Sequence, residues 1–157
     1  MKLLFVLPLL FSLIHVTEEF IFPGGFKKWY IEYRPEVKKG LTDRFLVTIN
    51  TFVEAIGVLV IFQGPRNGIG TWLILMSALF WNGIFHITGA IKTKKYSPGM
   101  ISGTLLYIPL FIIGTYEIFQ AMDVPVLEAV VCIGIGSLYH ILSLTRHRII
   151  AKRVSSR

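Results

Sequence analysis

The sequence predicts an all-α polytopic membrane protein, a bundle of five transmembrane helices with its N-terminus outside and its C-terminus in the cytoplasm. The 157-residue chain is 54% hydrophobic and has a mean hydropathy of +0.65, which is too apolar for an ordinary soluble domain. Five apolar runs of roughly 18–22 residues each match a bilayer core of about 30 Å. The length predicts a single membrane domain that covers residues 1–157.

The five predicted helices cover the apolar runs at about 3–22, 45–62, 70–91, 102–119 and 125–144. The first run resembles a signal peptide because Lys2 precedes it, but no small-residue cleavage site follows. We therefore expect a retained first helix that ends at Pro23-Gly24-Gly25. A tight turn is predicted at Gly64–Gly68 between the second and third helices.

The positive charges fall on one side of the five predicted crossings. Fourteen of the 16 Lys and Arg residues lie in 26–44, 92–95 and the basic tail 146–157. Cytoplasmic loops carry such an excess, which sets the predicted orientation in the cell membrane. The mixture of rings and amines in 26–44 predicts an interfacial segment with its rings at headgroup level. The net charge of +7 indicates membrane lipids as partners, and we expect no nucleic-acid binding because no such motif occurs.

Three ionisable residues close the first apolar run. On a helix, Glu18 and Glu19 follow His15 by three and four residues, so both carboxylates stand beside the imidazole on one face. Charge in or near hydrocarbon is costly and therefore usually has a partner or a function. This cluster is the predicted centre of the functional site.

Other polar residues fall at a similar predicted depth. Asn82 and His86 are four residues apart and share one face of the third helix. At 1.5 Å per residue, Glu54 and His140 also reach the cytoplasmic half of the membrane. Since such residues turn away from lipid and toward each other, the sequence predicts one shared polar pocket inside the bundle.

Three motifs in order resemble those of the HXXEE family of bacterial and archaeal membrane proteins. The first is His15-Val16-Thr17-Glu18-Glu19, followed by Pro23-Gly24-Gly25-Phe26. The second and third are Asn82-Gly83-Ile84-Phe85-His86 and Tyr96-Ser97-Pro98-Gly99, which are similar to Asn-x-x-x-His and Tyr-x-Pro-Gly. The resemblance implies a multi-pass membrane protein and brings no known reaction. Glu54 and His140 lie outside these motifs.

Two mechanisms fit histidines and carboxylates that converge in a pocket partly shielded from water. In the first, they bind a divalent metal such as iron or zinc, which activates water or oxygen. The candidate metal ligands are His15, Glu18, Glu19, His86 and His140. In the second, a carboxylic acid and a neighbouring histidine transfer protons without a metal. The candidate catalytic residues for either mechanism are His15, Glu18, Glu19, Asn82, His86 and Glu54.

The loop Tyr96-Ser97-Pro98-Gly99 has two interpretations. It is a turn that restarts the fourth helix, or a lip over the pocket in which Tyr96, Pro98 and Gly99 contact a substrate. The favoured function is an enzyme acting on a lipid or isoprenoid-like small molecule. The alternative is a non-catalytic lipid-binding or structural membrane subunit. A transporter is disfavoured because the polar residues crowd one half of the membrane.

Overall fold

The computed structural model describes the backbone of residues 1–155 and the side chains of residues 1–139, 141–142, 145 and 149. All regular elements in this part of the chain are helical. They are α1 (Lys2–Phe20), α2 (Phe26–Tyr33), a 3₁₀ turn (Pro35–Val37), α3 (Asp43–Asn67), α4 (Ile69–Thr93), α5 (Met100–Ala121) and α6 (Val126–Ser155).

Four helices, α1, α3, α4 and α5, are long and apolar enough to cross a membrane. They correspond to the first four predicted spans, so the all-helical class is confirmed. The fifth predicted span, 125–144, falls in α6, whose described apolar part is Val126–Tyr139. Five crossings and the orientation of the termini therefore stay predictions.

The turn predicted at 64–68 is reduced to a kink. Gly64 has φ 61° and ψ −172°, and the helical path resumes at Pro65 before Gly68 precedes α4. Proline is tolerated there because the first turn of a helix has no partner for its N–H. The second helix is consequently longer than its apolar run.

The central helix is α4, which packs against α3, α5 and α6, while α1 packs against α3 and α5. Its inward side chains include the fully buried Trp72 and Met76. Gly83 of α4 and Gly103 of α5 bring two backbones into contact, since a Cβ on Gly83 would lie 2.8 Å from the Gly103 carbonyl oxygen. Small residues permit such close helix approach in membranes. The contact fixes the beginning of α5, including its π-helical turn Gly103–Tyr107, beside the middle of α4.

The short helix α2 packs under the bundle. Phe26, Trp29 and Tyr30 are each at most 7% exposed, so these rings pack against the rest of the protein, and their position at headgroup level stays a prediction. Trp29 can be buried because Gly89 of α4 has no side chain: a Cβ there would come within 2.4 Å of the Trp29 ring. The indole fills this notch and buries aromatic surface. Lys28 projects from the exposed face of α2.

Candidate functional site

His15, Glu19 and His86 form a buried group that we call the His–Glu cluster. Glu19 Oε1 lies 3.4 Å from His15 Nε2 and 3.1 Å from His86 Nε2. One ligand atom from each residue lies within 4.8 Å of the others. Their exposed fractions are 2%, 4% and 0%. The four-residue spacing on α1 places His15 beside Glu19, and the contact of α1 with α4 brings in His86.

His86 has one nitrogen that is bonded and one that is not. Its Nδ1 lies 2.8 Å from Ser97 Oγ, which fixes the ring. Its Nε2 is fully buried and lies 3.1 Å from Glu19 Oε1, within ion-pair distance, but the pair does not have the geometry of a good hydrogen bond. A buried polar atom without a well-formed hydrogen bond is costly. His86 Nε2 therefore contacts Glu19 and can still take a better partner.

His15 is held at both nitrogens. Its Nδ1 lies 2.8 Å from Ser102 Oγ, and its Nε2 accepts from Asn82 Nδ2 at 2.9 Å. Ser102 Oγ donates its only proton to Glu18 at 2.5 Å, so the proton between His15 and Ser102 belongs to His15 Nδ1. Nε2 then carries the lone pair that accepts from Asn82, and it lies 3.4 Å from Glu19 Oε1. Each imidazole of the cluster is thus oriented through Nδ1 by a serine, as metal-ligating histidines are oriented by outer partners.

Glu18 forms a separate set of hydrogen bonds, with the loop after α4 and with the start of α5. Its Oε1 accepts from the Tyr96 hydroxyl and, at 3.0 Å each, from the backbone N–H groups of Gly99 and Ile101. Its Oε2 accepts from the backbone N–H and hydroxyl of Ser102, at 2.7 and 2.5 Å. The carboxylate therefore satisfies the free N–H groups at the start of α5. Both oxygens are engaged in these bonds, which position the loop and α5, and Glu18 is not in the group whose ligand atoms converge. Its role as a metal ligand stays a prediction.

The loop between α4 and α5 covers the cluster. Gly99, at φ +97°, is so close that a Cβ would lie 2.7 Å from His15 Cε1 and 2.8 Å from His86 Cε1. Burial and the hydrogen bond to Glu18 raise the pKa of Tyr96 above its ordinary value, so the phenol remains a donor. None of Tyr96, Pro98 and Gly99 lines the cavity described next. The predicted lip lies on the imidazoles instead.

A cavity of about 200 Å³ adjoins the cluster on the side away from this loop. His15, Glu19 and Asn82 form its polar end, and Tyr107 lies beside them with its ring centroid 4.7 Å from that of His15. Apolar side chains of α3, α4 and α6 form most of its walls, including Ile49, Phe52, Val53, Ile56, Ile74, Leu75, Ala78, Leu79 and Ile135. The cluster is therefore reached through an apolar chamber.

Glu54, another predicted site residue, is not part of the cluster. Glu54 Oε2 accepts from Ser12 Oγ at 2.8 Å, and its buried Oε1 has no hydrogen-bond partner. Glu54 thus joins α3 to Ser12 of α1, which lines the cavity one helical turn from His15. The side chain of His140 lies outside the described residues.

Several residues of the site were not singled out from the sequence. Ser97 and Ser102 orient the two imidazoles, and Phe26 and Trp29 of α2 cover His86 with ring-centroid distances of 5.5 and 5.7 Å. Ser97 could have been noticed as the variable position of the Tyr-x-Pro-Gly motif. For Ser102 the sequence carries no signal beyond its place near the start of a helix.

Residues 5–114 match the family described as a protein of unknown function with HXXEE motif. This chain belongs to the HXXEE family. It is also 30% identical over 77 residues to the uncharacterized protein YrkK of Bacillus subtilis (strain 168), across 47% of each chain. The chain thus matches about half the length of that curated relative. No solved structure matches the chain.

The residues of the HXXEE motif make two different sets of contacts. Its histidine and second glutamate, His15 and Glu19, join His86 in the cluster. Its first glutamate, Glu18, anchors the loop and the helix that carry Ser97, Gly99 and Ser102. The motif therefore supplies two side chains of the site and also positions the parts of the chain that hold them.

Proposed function

We propose that this HXXEE protein is an enzyme of the cell membrane that crosses the bilayer several times and acts on a lipid or isoprenoid-like substrate. In this proposal His15, Glu19 and His86 bind one divalent metal ion, iron or zinc. The observation that supports it most is the convergence of two buried imidazole Nε2 atoms on the same carboxylate oxygen, with His15 and Glu19 at the polar end of an apolar cavity.

The two spacings from Glu19 Oε1 fit a metal site, and all three ligand atoms lie within 4.8 Å of one another. Bonds of about 2.1 Å to a metal place neighbouring ligand atoms about 3.0 Å apart at a right angle and about 3.4 Å apart at a tetrahedral angle. The two distances from Glu19 Oε1, 3.1 Å to His86 and 3.4 Å to His15, lie in this range. The Nε2 of His86, which lacks a well-formed hydrogen bond, gains a better partner when a cation binds. Two histidines and one carboxylate suit zinc and non-haem iron.

A metal at this position would activate water or oxygen, or polarise an oxygen of the substrate. The protein residues perform the remaining tasks. Ser97 and Ser102 fix the orientation of the two imidazoles, and Asn82 lies 2.9 Å from His15 Nε2 at the cavity wall, where it can orient a bound group. The apolar walls exclude water from the reacting groups and strengthen the electrostatic interactions among them.

A metal-free proton-transfer enzyme is the second candidate, and the Asn82 contact favours it. The amide donates to His15 Nε2, which is the atom that a metal would take. A half-turn of the amide presents its oxygen instead, so metal binding requires this rearrangement. Without it, Glu19, which lines the cavity, would exchange a proton with the substrate, and His86, 3.1 Å from Glu19, would act through that carboxylate.

Metal content decides between the two candidates. The experiment measures iron and zinc in the purified full chain by elemental mass spectrometry, before and after incubation with Zn²⁺ or Fe²⁺. We expect about one metal ion per chain, lost in Glu19→Gln and in His86→Ala. Glu117→Gln, which changes an exposed carboxylate of α5, is the matched control and should keep the metal. A protein that takes up neither metal, or that keeps it in Glu19→Gln, would contradict the metal site.

A further inference from the structure

We propose that the ligand of the cavity is a single-chain amphiphile with an uncharged, oxygen-containing head, and that it enters sideways from the bilayer between α3 and α6. Its head would lie against His15, Glu19 and Asn82, and its chain would leave along the apolar walls. The proposal rests on the proposed function, because it names the substrate class and the route for the same site.

The mouth of the cavity faces lipid. Phe52 of α3 and Ile135 of α6 both line the cavity, yet they are 60% and 51% exposed. The main contacts of α3 are with α1 and α4, and those of α6 are with α4. The two helices therefore form opposite walls, and the space between Phe52 and Ile135 opens on the side of the bundle.

The side of the cluster near the membrane surface is closed. Phe26 and Trp29 of α2 are 7% and 5% exposed and lie over His86. Ser97 and Gly99 of the loop are buried against the same cluster, and the Tyr96 hydroxyl is bonded to Glu18. A molecule dissolved in water would have to displace these rings, whereas a molecule dissolved in lipid meets an opening.

The charged side chains around the cavity favour a ligand with an uncharged head. Among the described residues that line it there is no Lys or Arg, and the ionisable groups at its polar end are His15 and Glu19. The carboxylate of Glu54 lies close by, bonded to the lining residue Ser12. In the metal-free protein, a phosphate head would lose its hydration without gaining a cation from the described lining residues, and it would lie next to carboxylates of the same sign. A hydroxyl or carbonyl head can accept from Asn82 without this cost.

The volume of the cavity favours a ligand with a single chain. Its volume of about 200 Å³ is below the range of about 300–1,000 Å³ found for pockets that enclose drug-sized ligands. It is too small for two acyl chains side by side with a headgroup, and it can hold the head and first part of one chain.

Photolabelling of the purified full chain tests this inference. The probe is a 16-carbon alcohol with a diazirine on its chain, and labelled residues are located by mass spectrometry. We expect labels on the walls formed by α3 and α6, and competition by unlabelled hexadecanol but not by hexadecyl phosphate. Labels elsewhere, or equal competition by hexadecyl phosphate, would overturn the proposed route or the proposed head.

Two matched substitutions make the test specific. Ala78 lines the cavity and Ala55 is an exposed residue of α3, so Ala78→Phe fills the cavity while Ala55→Phe adds the same ring on the lipid side. We expect Ala78→Phe to reduce labelling at least tenfold and Ala55→Phe to leave it unchanged, with Ala78→Leu as a milder replacement if the larger one does not fold. Unchanged labelling in folded Ala78→Phe or Ala78→Leu would contradict the inference. Metal content, measured in the same samples, separates this outcome from failure of the metal site.

Discussion

Gly99 and His86 are so close that no side chain fits between them: a Cβ on Gly99 would lie 2.8 Å from His86 Cε1 and 3.0 Å from its Nε2. The same Cβ would lie 2.7 Å from His15 Cε1, so both imidazoles of the cluster rest on one residue without a side chain. The backbone there has φ +97°, which L-residues rarely adopt. Glycine at this position is therefore a requirement of the cluster as well as of the turn.

Gly99→Ala should consequently damage the cluster while the helices remain. The added methyl must displace at least one imidazole, and the backbone strain adds about 1 kcal/mol. We expect at least a tenfold loss of zinc affinity with an unchanged helical circular-dichroism spectrum. Gly134→Ala is the control, since a Cβ at this α6 glycine would meet nothing within 4 Å. Zinc affinity in Gly99→Ala equal to that of the unmodified protein would show that the imidazoles do not bind metal through this geometry.

The two adjacent glutamates should respond differently to the same substitution. Glu18 accepts five hydrogen bonds through its two carboxylate oxygens. In Glu18→Gln an NH₂ group replaces one of these oxygens and points at backbone N–H donors. We therefore expect a loss of about 2 kcal/mol of stability and a lower melting temperature. Glu19→Gln should lower the melting temperature of the metal-free protein less than Glu18→Gln does, because Glu19 contacts only two imidazole nitrogens, and it should abolish metal binding. Differential scanning fluorimetry and metal titration on both variants check this. A larger stability loss in Glu19→Gln than in Glu18→Gln, with metal binding lost only in Glu18→Gln, would contradict the separate roles of the two glutamates.

The sequence could predict the helices, and the meeting of His15 with His86, for simple reasons. Apolar runs of known length specify spans, and a rise of 1.5 Å per residue places both histidines at a similar depth. Polar groups at one depth avoid lipid, so a common interior site follows. Family motifs then pointed to the same residues.

The separate roles of Glu18 and Glu19 could not be predicted in this way. Spacings of three and four residues both lie beside His15, so only the position of the start of α5 decides which carboxylate meets its N–H groups. That position depends on the backbone contact of Gly83 with Gly103, which is a tertiary contact between α4 and α5. The burial of Trp29 depends equally on a notch at Gly89 that no pattern in 26–44 reveals.

The serines that orient the imidazoles provide a further prediction. Ser102→Ala removes the acceptor of the His15 Nδ1 proton, and Ser97→Ala removes the partner of His86 Nδ1. Loss of such outer partners typically costs 10–100-fold in metal affinity. We expect this range for each variant by zinc titration, against Ser137→Ala as control. Ser137 bonds Ser77 and Trp81 where α4 meets α6, away from the cluster, so its loss should leave zinc affinity unchanged.

The hydroxyl of Tyr96 should give the loop a stability that depends on alkaline pH. Burial and the hydrogen bond to Glu18 raise its pKa above the ordinary value of 10.0, so the folded protein holds this proton more tightly than the unfolded chain. The contribution is fully present below pH 10 and is lost as the pH rises through the higher folded pKa. Tyr96→Phe lacks the hydroxyl, so it has neither this stabilisation at lower pH nor the loss of it at alkaline pH. We expect the melting temperature of the unmodified protein to exceed that of Tyr96→Phe at pH 8, and the difference to shrink above pH 10.

The control for this experiment is Tyr116→Phe, which removes the hydroxyl of an exposed tyrosine on α5. Lysine titration affects all three proteins equally and cancels in the differences, so the comparison isolates single phenols. A difference between the unmodified protein and Tyr96→Phe that stays constant from pH 8 to pH 11 would mean that the phenol does not bond Glu18. The positioning role of Glu18 would then rest on its other bonds, from the N–H groups of Gly99, Ile101 and Ser102 and from the Ser102 hydroxyl.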